Sequence, residues 1–123
     1  MDLLVPHHVI FLGDMTASGR RAVSDEEYET YYETFKKMFP IPSNDTTAHY
    51  LPENNDVGLN VDPVESQHAR RRFAKYFGPL DQTVIIQNHI LVLLDAPRII
   101  EEDYRRLRAT PGSSTRVTSR LKL

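Results

Sequence analysis

Residues 9–12, Val-Ile-Phe-Leu, are four strand-forming apolar residues in a row, and the run stops at Gly13-Asp14. So short a run, rich in β-branched and aromatic residues, suits a strand buried on both faces, the habit of parallel sheets. Parallel neighbours need a long crossover, usually a helix, so the run narrows the fold to alternating strands and helices. The following residues keep to that alternation. Ser24 opens a helix, with Glu27 at capping-box spacing. Tyr28, Tyr31, Tyr32, Phe35, Met38 and Phe39 then form one apolar face until Pro40 and Pro42 end it. These aromatics are expected in the core rather than around a cofactor.

His49, Tyr50 and Leu51 predict a second strand, followed by a loop over 52–60. Asp62, Pro63 and Glu65 repeat the helix-start signal. Ala69, Phe73, Tyr76 and Phe77 face one way, and Gly78-Pro79 stops that helix. Thr83 to Asp95 is two apolar segments split by Gln87, Asn88 and His89, which predicts a hairpin or a bend between strands. A last short helix is expected over 99–107. The order βαβα and then two strands predicts an α/β layered domain over 1–108, with function in the loops at the carboxyl ends of its strands.

At 123 residues, 40% hydrophobic and 26% charged, the chain has the size and balance of one soluble domain. The absence of cysteine excludes disulfides, thiolate metal sites and a cysteine nucleophile. Val9–Leu12 and Ile90–Leu94 fall far short of the roughly 20 residues of a membrane-spanning helix. The first residues lack the basic region and apolar stretch of a signal peptide, so neither a leader nor a transmembrane segment is expected. Six basic residues, Arg105, Arg106, Arg108, Arg116, Arg120 and Lys122, follow the last acidic one, Asp103. Without them nine basic residues face seventeen acidic ones, −8 for residues 1–104. Residues 109–123 are expected to be a disordered basic tail. Its charges are sparse and no aromatic is interleaved for base stacking, so no nucleic-acid partner is expected.

Two loops carry the chemistry. In Gly13-Asp14-Met15-Thr16-Ala17-Ser18-Gly19-Arg20, a carboxylate just beyond a strand is placed to bridge hard metal ions, which take oxygen ligands. Arg20 can fork onto phosphate oxygens. In Pro52-Glu53-Asn54-Asn55-Asp56-Val57-Gly58, Asn54 offers an amide oxygen to a metal and Asp56 can orient a neighbour by hydrogen bonding. Each loop alone also reads as ordinary turn chemistry, since Asp, Asn and Gly favour turns for local reasons. His7 and His8 are expected at the surface, because consecutive strand side chains point to opposite faces and do not share an ion. His68 and His89 are expected on a helix surface and at the turn.

Together the loops resemble the calcineurin-like metallophosphoesterases, whose motifs run Asp-x-His, Gly-Asp-x-x-Asp, Gly-Asn-His-Asp, a lone His and Gly-His-x-His around two metals. Gly13 and Asp14 match the second motif, Asn54 and Asp56 the third. VIFLGDMTASGR, LPENNDVGL, RRFAKYFGPLDQTVIIQNHILVLLDAP and IIEEDYRR are similar to the fungal branch of enzymes that remove ethanolamine phosphate from glycosylphosphatidylinositol (GPI) anchors. The likeness covers roughly residues 8–108. It implies phosphodiester hydrolysis with two divalent ions (Mn, Zn or Fe), at endoplasmic reticulum or Golgi membranes reached through segments outside this sequence. It assigns Asp14 and Asn54 to the metals, Asn55 and Asp56 to catalysis and Arg20 to the phosphate.

The departures are specific. No Asp-x-His precedes the first strand, Ala17 stands at the second Asp of the second motif, Glu53 replaces Gly, Asn55 replaces His, and no His follows residue 95. Two protein ligands cannot offset the dehydration of two cations. The expectation is therefore a partial metallophosphoesterase layered fold that binds metal weakly or not at all and turns over no phosphoester. The alternative is a non-catalytic interaction module, since missing layers leave sheet edges and apolar faces open.

Overall fold

The computed structural model describes residues 4–21, 24–59 and 62–109. Strand β1 (His8–Phe11) lies parallel to β2 (Thr47–Tyr50), with His8 opposite Thr47 and Phe11 opposite Tyr50. The crossover between them holds a single 3-10 turn, Gly19–Arg21, and helix α1 (Asp25–Met38). After β2 come a one-turn helix α2 (Asn54–Val57) and helix α3 (Pro63–Phe77). Strands β3 (Gln82–Ile86) and β4 (His89–Leu93) form an antiparallel hairpin, and helix α4 (Ala96–Ala109) follows. The class is mixed α/β.

The helix signals act as written. Ser24 Oγ accepts the Glu27 N–H at 3.1 Å, and Asp25, Glu26 and Glu27 complement the positive end of the α1 dipole while Lys36 and Lys37 complement the other. Asp62 accepts the Val64 N–H at 2.8 Å, Pro63 occupies the first turn, and Gly78, at φ +101°, ends α3. Tyr28 and Phe35 of α1 and Ala69, Phe73 and Phe77 of α3 are buried. Phe35 meets Phe77 edge-on at 5.7 Å, and Tyr50 of β2 lies 5.2 Å from Phe77 and 5.2 Å from Phe11. One aromatic core thus joins the two helices to the parallel pair.

Several expectations shift. The first strand starts at His8 and stops before Leu12, which is 79% exposed, and its four residues are half-buried, because one neighbouring strand leaves an edge open. Met38 and Phe39 are 66% and 50% exposed rather than core. The Phe39 ring still lies 6.3 Å from that of Phe11 in β1, so the end of α1 rests at the margin of the core. The loop over 52–60 contains α2. The last helix begins at Ala96, because the buried Asp95 carboxylate accepts the Arg98 N–H at 3.0 Å and caps it, with Pro97 in the first turn.

The four strands form two separate pairs rather than one layered sheet. β3 and β4 satisfy each other through the two-residue Gln87-Asn88 turn, where Gln87 takes the left-handed conformation (φ +53°) that glycine usually supplies. One face of this hairpin, Thr83, Ile85, Ile90 and Val92, is uncharged and open, with Ile85 71% and Ile90 70% exposed. Behind the hairpin, Arg70 of α3 donates to buried Asp95 at 2.9 Å and lies 3.7 Å from Glu101 of α4. Ala109 ends α4, and the rest of the expected basic tail, 110–123, lies outside the described residues. No helix among the described residues is long and apolar enough to cross a membrane.

Tyr28 is fully buried, and its hydroxyl has no hydrogen-bond partner among the described residues. The Arg72 guanidinium sits 5.2 Å from its ring centre, yet burial, followed by the charge of Asp56, pushes the phenol far above its ordinary range. Tyr28→Phe keeps the ring and deletes a polar group that bonds to nothing. It is expected to leave stability unchanged or raise it by up to about 1 kcal/mol, read from urea unfolding. A loss above that size would show that the hydroxyl is satisfied after all.

Candidate functional site at the carboxyl ends of the parallel strands

Because β1 and β2 are parallel, the segments leaving them emerge at the same end of the sheet. Asp14 and Asn54 therefore sit at neighbouring strand ends although 40 residues separate them in sequence. Asp56 is the joint. Its fully buried carboxylate accepts the Asp14 N–H (2.9 Å) and the Glu53 N–H (3.1 Å) on one oxygen, and the Thr16 N–H (2.9 Å) and Thr16 hydroxyl (3.1 Å) on the other. Glu53 and Asp56 also cap α2 reciprocally, with the Glu53 side chain accepting the Asn55 N–H at 3.1 Å.

Gly13 makes the close approach possible. Its φ is +94°, and a Cβ there would fall on the Glu53 side chain. Asp14 follows at φ +57°, a left-handed conformation that a short polar side chain tolerates and that turns its carboxylate outward. Asp14 Oδ1 accepts the Asn55 side-chain amide at 2.9 Å, and Asn54 Oδ1 accepts Arg20 Nη1 at 3.2 Å. The five residues singled out in the sequence thus form two hydrogen-bonded sets, Asp14 with Asn55 and Asp56, and Arg20 with Asn54, joined by the chain through α2. Asp14 is exposed, Arg20, Asn54 and Asn55 are half-buried, and Asp56 is inside.

The donor set does not fit the two divalent ions that the resemblance implies. Asp14 Oδ1 is held by the Asn55 amide and the Asn54 side-chain oxygen by the cationic Arg20, and both oxygens of Asp56 face inward onto the loops, which leaves too few carboxylate oxygens for two ions. Among the described residues no group of three or more His, Cys, Asp or Glu side chains is arranged to hold a metal ion. What the cluster does provide is two loops locked in register, with an outward carboxylate, two amides and a guanidinium at one rim.

Sequence reasoning missed Thr16 and Glu53. Nothing local marks Thr16, since its role depends on a partner 40 residues away. Glu53 had a signal: an acidic residue three positions before another, at the start of a helical turn, is reciprocal capping spacing.

Burial raises the Asp56 carboxyl above its ordinary 3.8, and the four hydrogen bonds it accepts, led by that of the Thr16 N–H, pull it back only in part. The folded chain therefore holds this proton more tightly than the unfolded chain does. The stabilisation from this linkage is fully present below pH 3.8 and is lost as pH rises through the raised folded value. The stability difference between wild type and Asp56→Asn, measured by chemical unfolding, is expected to narrow across that window and to be flat above it. A difference that grows with pH there would mean that the donors outweigh burial.

Compared with known proteins, the chain matches no family model, no curated sequence and no solved structure.

Proposed function

We propose that the chain carries two adjacent loops of a calcineurin-like phosphodiesterase site. In this reading the parent activity is metal-dependent phosphodiester hydrolysis, removing ethanolamine phosphate from GPI anchors in the early secretory pathway, and this chain alone turns over no substrate. One observation carries the reading. Asp14 and the Asn54-Asn55-Asp56 segment, the residues matching successive family motifs, meet at the carboxyl ends of adjacent parallel strands, with Asn55 bonded to Asp14 at 2.9 Å. Function gathers at such strand ends in open α/β folds. The chain's own residues position and orient: Asp56 fixes both loops, Asn55 holds the Asp14 carboxylate, and Arg20 keeps N–H groups beyond its bond to Asn54 for a phosphate oxygen.

Extending the coding sequence tests the ancestry. An upstream strand ending in Asp-x-His and a downstream Gly-His-x-His are expected, and flanks without either motif count against it. With Mn2+ or Zn2+ and a generic phosphodiester, the purified chain is expected to show no turnover. Robust turnover abolished by Asp14→Ala would show a complete site.

The open face of the hairpin favours a second reading, a non-catalytic interaction module. Ile85, Ile90 and Val92 form an uncharged apolar stripe on a strand pair that pairs with no further strand among the described residues. Size-exclusion chromatography separates the two readings: a discrete oligomer that Ile85→Lys returns to monomer supports the module, and a wild-type monomer counts against it.

A further inference from the structure

His8 opens β1, and His49 lies within β2, two residues beyond the register partner of His8. His8 Nδ1 and His49 Nε2 are 3.1 Å apart, and the rings are within 15° of parallel with centroids 5.4 Å apart. The centroid separation exceeds the N···N distance by about two ring radii, so both nitrogens lie near the line joining the rings. The rings meet edge to edge rather than face to face, and the two nitrogens point at one another. Two facing imidazole nitrogens repel unless something positive lies between them, and the candidates are a shared proton or a metal ion.

As it stands the 3.1 Å spacing is that of an N–H···N hydrogen bond, and a metal can take the place of the proton. Two zinc–imidazole bonds of about 2.0–2.1 Å, at angles from octahedral to tetrahedral, span about 2.8–3.4 Å between nitrogens. Both rings must turn, each by roughly 40°, for their lone pairs to converge on an ion beside the N···N line. His49 is buried (8% exposed) and held in the strand, whereas His8 is half-buried and leaves a side open for water ligands. Neither ring takes part in an ion pair among the described residues, so no carboxylate biases the pair toward oxygen-preferring ions.

We propose that His8 and His49 form a cross-strand site for one imidazole-preferring divalent ion, of the Zn2+, Ni2+ or Cu2+ class, that pins β1 to β2. The site is distinct from the loop cluster, whose oxygen donors lie beyond the carboxyl ends of these strands. It also needs no phosphodiesterase ancestry. Two imidazoles select against Mg2+, Ca2+ and Mn2+ and follow the order Cu2+ above Ni2+ and Zn2+. An ion bound only by the paired strands stabilises the folded chain by mass action.

The test is a thermal-shift titration of the full chain with Ni2+ and Zn2+, with Mg2+ as control. At several times its dissociation constant, Ni2+ or Zn2+ is expected to raise the midpoint by roughly 4–8 °C. The rise should vanish in His8→Gln and His49→Gln and persist in His68→Gln and His89→Gln, whose histidines are exposed elsewhere. Should either pair variant fail to fold, Cu2+ added to wild type is expected to show two imidazole nitrogens in its electron paramagnetic resonance spectrum. No shift with either ion, a shift that survives loss of His8 or His49, or a copper spectrum with fewer than two imidazoles overturns the proposal.

Discussion

Asp56→Ala is expected to cost about 3–4 kcal/mol of stability, a large share of the roughly 5–15 kcal/mol that holds an ordinary domain together. The substitution removes one carboxylate and strands three backbone N–H groups and a hydroxyl that converge on it. Each unsatisfied buried donor costs about 1–3 kcal/mol. The sum is reduced because a buried charge disappears at the same time and because Asp14 lies where water can reach its amide. Asp56→Asn is expected to lose about half as much, since one oxygen can still serve Thr16 while the new amide opposes the N–H groups of Asp14 and Glu53. Urea unfolding measures both, and a loss below about 1 kcal/mol for the alanine variant would mean that the loops hold their positions without Asp56.

Phe73→Ala is expected to cost about 3–5 kcal/mol through a different mechanism. Phe73 has no exposed surface, and its ring packs 5.1 Å from that of Phe77 in the cluster that also holds Tyr28 and Phe35. Both helices are fixed by capped ends, so the cavity cannot readily collapse, which places the cost in the upper part of the range for such deletions. The urea midpoint should fall with its slope unchanged. A changed slope would instead indicate that the compactness of one state had altered.

The helices were legible because their signals are local. Ser24, Asp62-Pro63 and Gly78 lie within one turn of the ends they define, and the Tyr28-to-Phe35 and Ala69-to-Phe77 spacings carry the buried faces directly. The expected start at Ile99 falls three residues late because Asp95 closes an apolar run, although Asp95 followed by Pro97 resembles the Asp62-Pro63 start signal. Strand pairing was less legible. A four-residue apolar run shows what must be buried but not how many neighbours bury it, and Leu12 belongs to that run while standing in solvent. The candidate site follows the same rule. Its five residues stood out by type and by their position after strands, whereas the lock on Thr16 depends on distance in space.

The parallel pairing of β1 and β2 fixes when the site can exist during folding. Antiparallel β3 and β4 can zip from their two-residue turn in microseconds. β1 and β2, by contrast, register only after the 35 residues between them, 12–46, have looped back, an entropic cost met before any pairing rewards it. A refolding chain should therefore protect the amides of β3 and β4 from hydrogen exchange early and the amide of Thr16 late. The loops bearing Asp14 and Asn54 are then among the last parts of the molecule to acquire native structure, and they remain open to proteases for as long as the crossover is unmade.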